Sequence, residues 1–88
     1  MTKEASDHEG APDAAEIRVR LIDLAVRRGA TKTFCPSEVA RSFGPGWRDL
    51  MPRVRAEAAG MADLRATQKG VEVDAMTAKG PIRLGLRA

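Results

Sequence analysis

Histidine and cysteine each occur once in this chain, tyrosine is missing, and the aromatic set is two Phe and one Trp. Each scarcity excludes something. His8 and Cys35 cannot complete a structural zinc site or a disulfide framework, so a reducing, cytoplasmic setting is the default expectation. His8 sits in the N-terminal tail, where it cannot pair with a serine or cysteine of a folded body, and a glycine-rich phosphate loop of the required spacing is missing. No enzyme is therefore expected, and no catalytic residue, metal or cofactor. Phe34, Phe43 and Trp47 lie close together in sequence and are read as core, which leaves no row of aromatics on which single-stranded nucleic acid could stack. No run approaches the roughly 20 apolar residues of a membrane span. Met1 to Gly10 is polar and mostly acidic, unlike a secretory signal, so no membrane partner is expected.

What the chain does have is arginine and a charge asymmetry. Its 88 residues carry 15 Lys and Arg against 12 Asp and Glu, a net charge of +3. Residues 1–16 hold one Lys and five acids; residues 17–88 hold fourteen bases, eleven of them Arg, and seven acids. A body with a net +7 favours an anionic partner, and arginine suits bidentate contacts with phosphate or carboxylate. Length allows one domain, with residues 1–12 read as a disordered tail and residues 13–88 as the folded unit.

Asp13 and Glu16 form a capping-box pattern, and Ile17, Leu21, Leu24 and Ala25 follow on one helical stripe that Arg27, Arg28 and Gly29 close. Thr31 to Phe34 reads as a brief strand. A second helix is expected from Pro36 to Phe43, stopped by Gly44-Pro45-Gly46. A third spans Trp47 to Ala62, with Trp47, Leu50, Met51, Val54, Ala58 and Met61 on its inner arc; Pro52 requires a helix start or a bend there. Leu64–Gln68 and Val71–Asp74 flank a Lys69-Gly70 turn. A two-residue turn sets Thr67 opposite Glu72 and Arg65 opposite Asp74, whereas a bulged turn shifts that register. Ile82, Leu84 and Leu86 alternate with polar or small residues in a last strand after Gly80-Pro81. This order is that of an α+β winged helix-turn-helix: three helices plus an antiparallel sheet of two to three strands, with residues 69–81 as the wing.

Three ordered blocks carry a family resemblance: Cys35-Pro36-Ser37-Glu38-Val39-Ala40-Arg41, Trp47-Arg48-Asp49-Leu50-Met51-Pro52-Arg53-Val54-Arg55 and Gly80-Pro81-Ile82-Arg83-Leu84. Over about residues 14–87 the chain resembles a family of small bacterial proteins, domain of unknown function three-two-five-three. The resemblance implies a winged-helix fold and supplies no catalytic residues. The chain departs from it at Asp63, near where a glycine would end the third helix.

In helix-turn-helix proteins the second helix of the motif enters the major groove. The outer arc of the third helix offers Arg48, Arg53 and Arg55 for phosphate or guanine edges. Lys69, Lys79 and Arg83 would flank them on the wing and last strand. Against this, Asp49 and Glu57 reduce the helix to a net +1, no Asn, Gln, Ser or Thr lies on the arc to read bases, and a solvated charged face has the same composition. Double-stranded DNA is the partner this pattern favours. A protein partner docked on the small-residue strip Ala56, Ala59 and Gly60 is the alternative, and the oligomeric state is left open. At Cys35, a small residue closing the second helix competes with a reactive thiol at a helix N-terminus. Ser37 is expected to satisfy a free N–H of the first helical turn, and Glu38 to gain from the helix dipole.

Overall fold

The order of elements follows from where the backbone is capped, broken or turned. A computed structural model describes residues 12–87; the sequence-based expectation of a tail over residues 1–12 falls outside them except at Pro12. Helix α1, Ala14–Arg28, starts with the expected capping box. The Glu16 N–H donates to Asp13 Oδ1 at 2.9 Å, and the Asp13 N–H donates to Glu16 Oε1 at 3.1 Å. Two of the donors that a helix start leaves unpaired are thereby satisfied. At the other end Gly29, at φ 83°, turns the chain out of the helix. Ile17, Leu21 and Ala25 are fully buried.

Strand β1 is only Thr33–Phe34. Helix α2 follows as Pro36–Arg41 and ends two residues before the expected Phe43. The Ser42 hydroxyl donates to the Val39 carbonyl at 2.6 Å, and the Phe43 and Gly44 N–H groups reach the carbonyls of Ala40 and Arg41, tightening the chain into an i→i−3 turn.

The expected third helix is broken in two. Trp47–Leu50 is a single 3-10 turn, and the α-helix proper, α3, is Met51–Ala59. Pro52 is the cause. It lacks an N–H, and its ring would meet the carbonyl of Arg48 in a continuous α-helix, so the helix begins around it, where a missing N–H costs nothing. The far end also comes earlier than Ala62: the N–H groups of Gly60 and Met61 reach back to Glu57 and Ala58, and the chain turns toward β2. Gly60 is the residue that caps α3, three positions before Asp63.

Strands β2 (Leu64–Gln68), β3 (Val71–Val73) and β4 (Arg83–Leu86) join β1 in one antiparallel sheet of order β1-β4-β2-β3. Four strands replace the expected two to three. The turn between β2 and β3 has two residues, Lys69 at φ 53° and Gly70 at φ 84°. Two successive left-handed residues match the twist of a tight hairpin, and Thr67 lies opposite Glu72 as expected. Asp74 lies beyond the ladder. Its carboxylate instead accepts from the N–H groups of Met76 and Thr77, shaping the loop that leads to β4.

The core sits between the three helices and one face of the sheet. Phe34, Ile17, Leu21, Leu84, Val39 and Val54 are its largest buried side chains. Of the three aromatics only Phe34 is in it. Phe43 and Trp47 pack on its border, each under a guanidinium: Arg20 lies 4.3 Å from the Phe43 ring centre, and Arg41 and Arg48 lie 4.7 and 4.5 Å from that of Trp47.

Candidate nucleic-acid interface

The six basic residues singled out by sequence divide into two groups. Arg55 lies half-buried rather than on the outer arc of the helix. Its Nε donates to the Ala75 carbonyl at 2.9 Å, and its two terminal nitrogens donate to the carbonyls of Ala78 (2.5 Å) and Gly80 (3.3 Å). One side chain of α3 therefore holds the loop between β3 and β4 by three backbone acceptors. Arg83 is likewise engaged: its guanidinium donates to the Thr33 hydroxyl at 3.0 Å and to the Thr33 carbonyl at 2.9 Å, pinning the edge strand β1. Neither guanidinium is held ready for a partner's phosphate as the sequence suggests, because each has acceptors within its own fold.

Arg48, Arg53, Lys69 and Lys79 are exposed and form no ion pair among the described residues. The ion pairs that do form lie elsewhere. Arg18–Glu57 joins α1 to α3, Arg28–Glu38 joins α1 to α2, Arg87–Glu72 links the chain end to β3, and Arg27–Asp23 lies along α1. Arg41, which sequence reasoning passed over, joins Arg48 on the Trp47 ring. The signal was present in the local order, since a tight turn brings the last residue of α2 back toward the first aromatic after it. Arginine over an aromatic face keeps its N–H edge free for an anion. Asp49 is exposed in the same turn and offsets part of this charge.

The hold of Arg55 fixes the loop between β3 and β4 relative to α3. The loop it grips includes the residues either side of Lys79, and Gln68 Nε2 donates to the carbonyls of Lys79 and Pro81. Lys69 and Lys79 consequently line one shallow concavity with Gln68 and Pro81. A second groove, of about 420 Å³, runs between the start of α3 (Met51, Pro52, Arg55) and the loop (Met76, Ala78). Arg48 lies four residues before Pro52, in the 3-10 turn.

The small-residue strip is less open than expected: Ala56 is half-buried, and Ala59 and Gly60 are exposed. Ala58 and Ala59 instead border a smaller groove, about 190 Å³, shared with Arg65, Glu72, Asp74 and Arg87. The Arg65 Nε is buried without a hydrogen-bond partner among the described residues. Cys35 is half-buried, and the Ser37 hydroxyl donates to its sulfur at 3.1 Å instead of serving a backbone group. Glu38, beyond the dipole contact expected of it, accepts from the Cys35 N–H at 3.2 Å and from Arg28 at 2.5 Å.

Among the described residues no cluster of His, Cys, Asp and Glu could hold a metal ion, and no helix is long and apolar enough to cross a membrane. No curated protein matches the chain. The family model described as Protein of unknown function (DUF3253) matches residues 14–87, and the chain belongs to that family.

Proposed function

We propose that this protein is a winged helix-turn-helix module that binds double-stranded DNA. Helices α2 and α3, with the 3-10 turn between them, serve as the helix-turn-helix, and the β2–β3 hairpin with the loop to β4 serves as the wing. Arg48 and Arg53 contact phosphates or guanine edges in and beside the major groove, and Lys69 and Lys79 contact flanking phosphates. Arg41 joins Arg48 on the backbone, and Arg55 acts through position, holding the wing against α3.

One observation carries this reading. The cations on the outer side of the helix-turn-helix and wing lack carboxylate partners among the described residues, whereas Arg18, Arg27, Arg28 and Arg87 are neutralised within the fold. A surface left with unneutralised charge gains affinity for a polyanion by releasing its counterions. The absence of Asn, Gln, Ser or Thr from the outer arc makes backbone contact the main source of affinity, with little discrimination between sequences.

Fluorescence anisotropy with a mixed-sequence duplex at two salt concentrations tests this. Four to five phosphate contacts give a slope of log K against log salt of about −4. Reversing Arg48 and Arg53 to Glu abolishes binding while circular dichroism stays unchanged. Retained affinity in a folded double variant would falsify the assignment.

A second reading rests on Arg65. The half-buried Arg65 lines the groove bordered by Ala58 and Ala59, with its Nε buried and unpartnered among the described residues, and the rest of its guanidinium suits a protein segment that brings a carbonyl or carboxylate. Such binding is insensitive to Arg48 and Arg53 and lost in Arg65→Met.

A further inference from the structure

The tight turn between α2 and α3 holds two guanidiniums over one ring. Arg41, the last residue of α2, and Arg48, in the 3-10 turn, place their guanidinium carbons 4.7 and 4.5 Å from the ring centre of Trp47. The platform itself is fixed, because Trp47 is half-buried against the border of the core. Gly44 at φ 102° and Gly46 at φ 84° make the turn that brings Arg41 back to the ring, and a Cβ at either would meet nothing within 4 Å. These glycines serve the path of the backbone rather than close packing.

The charge on this ring has no counterpart within the fold. Arg41 and Arg48 are exposed and form neither an ion pair nor a hydrogen bond among the described residues. Arg20, which approaches the same turn, is engaged by Ser42, donating to its hydroxyl at 2.6 Å and its carbonyl at 3.3 Å. Asp49 is the acid beside them, but in a turn of about three residues it points roughly 120° away from Arg48. It pairs with neither arginine. Because each guanidinium carbon lies within 4.7 Å of one ring centre, the two cations are less than twice that distance apart. At such a separation they repel each other, and an anion seated between them removes the repulsion. Stacking sets the plane of each guanidinium and leaves its N–H edge free, so little freedom is lost when oxygens bind. Two such edges need more oxygens than one carboxylate offers, and closely spaced phosphates supply them. The ring surface under the guanidiniums is closed to a nucleobase, so recognition rests on the phosphates alone.

We infer that Arg41 and Arg48, positioned by Trp47, form a binding site for closely spaced phosphate groups, one that takes a short oligophosphate chain without base or duplex. In the duplex-binding reading, on which this assignment builds, the same pair takes neighbouring phosphates of one strand.

The chain holds one tryptophan and no tyrosine, so its emission reports on this ring. Sodium tripolyphosphate, titrated into the full chain with ionic strength held by sodium chloride, should change that emission saturably, whereas chloride alone should not. Calorimetry with the same probe gives the affinity of variants that lack the fluorophore. Arg41→Gln and Arg48→Gln should each weaken binding roughly tenfold with an unchanged thermal melt, both side chains being exposed. Trp47→Leu should weaken it by a similar factor and Trp47→Phe should restore most of the affinity, so that binding follows the aromatic ring and not the melting temperature. A response that chloride reproduces, or that survives in the Arg41→Gln/Arg48→Gln double variant, overturns the site. A Trp47→Leu variant that binds like the wild type overturns the role of the ring. A labelled duplex separates this site from the broader reading. Duplex binding with no response to tripolyphosphate overturns the site and leaves duplex binding standing, while tripolyphosphate binding with no affinity for the duplex upholds the site and removes the other.

Discussion

The carboxylate of Glu38 receives the Arg28 guanidinium at 2.5 Å and the Cys35 N–H at 3.2 Å, so that one acid closes the start of α2 and ties it to the last turn of α1. Partial burial pushes its carboxyl up, but the Cys35 hydrogen bond and the Arg28 contact, with the field of Arg83, together hold it below its ordinary value of 4.5. A carboxylate whose folded value is depressed adds stability above its unfolded value and loses it as pH falls through the folded one. Stability should therefore be level above about pH 5 and decline progressively below pH 4.5. Urea midpoints measured across that window check this, and Glu38→Gln should flatten the acid limb.

The same sign holds at Glu72. The hydrogen bond from Arg87 is the main influence holding its carboxyl down, with the fields of Arg87 and Arg65 adding to it against slight desolvation. Because this pair is exposed, Glu72→Gln should change the acid limb less than Glu38→Gln, and added salt should erase more of its effect.

Arg55→Met keeps the aliphatic stem and removes three donors to the carbonyls of Ala75, Ala78 and Gly80. Loss of stability is expected to be about 1–3 kcal/mol in urea unfolding. Hydrogen exchange should rise mainly in residues 74–80. Under the DNA-binding proposal, affinity also falls, although Arg55 itself touches no DNA.

Gly85 lies opposite Thr33 in the β1–β4 ladder, where an added Cβ would come within 3.3 Å of Thr33 Cγ2 and 3.5 Å of the Lys32 carbonyl. Gly85→Ala should push β1 outward and cost about 1–3 kcal/mol. Pairing it with Thr33→Ser, which removes the methyl group, should recover part of the loss in a thermal melt.

Phe34 is the largest fully buried side chain. Phe34→Ala should cost about 3–5 kcal/mol, most of the stability available to a domain of this size. Calorimetry should show a broad, weak transition or none.

These expectations separate what local sequence specifies from what it does not. Asp13 with Glu16, Gly29, and the Lys69-Gly70 turn act on backbone groups within a few residues, so their structures are readable from a short window. Pro52 was visible as a break, but choosing between a bent helix and a new start required knowing that Trp47 and Leu50 pack as a separate turn. The fourth strand is Thr33–Phe34 counted as part of the sheet, which depends on pairing with Leu84 and Gly85 some 50 positions later. Arg55 illustrates the same limit at the candidate interface. Helical periodicity put it on the outer arc, whereas carbonyls 20 to 25 residues downstream draw its long side chain inward.

The strand order has its own bearing on how this molecule meets others. The two shortest strands, β1 with two residues and β3 with three, stand at the rims, and the longer β2 and β4 lie between them. A rim that short offers an approaching strand only one or two backbone hydrogen bonds, too few to seed a shared sheet. Growth of sheet from chain to chain is thereby discouraged at both ends, and encounters between molecules fall to the helical surfaces, where side-chain charge and shape select the partner.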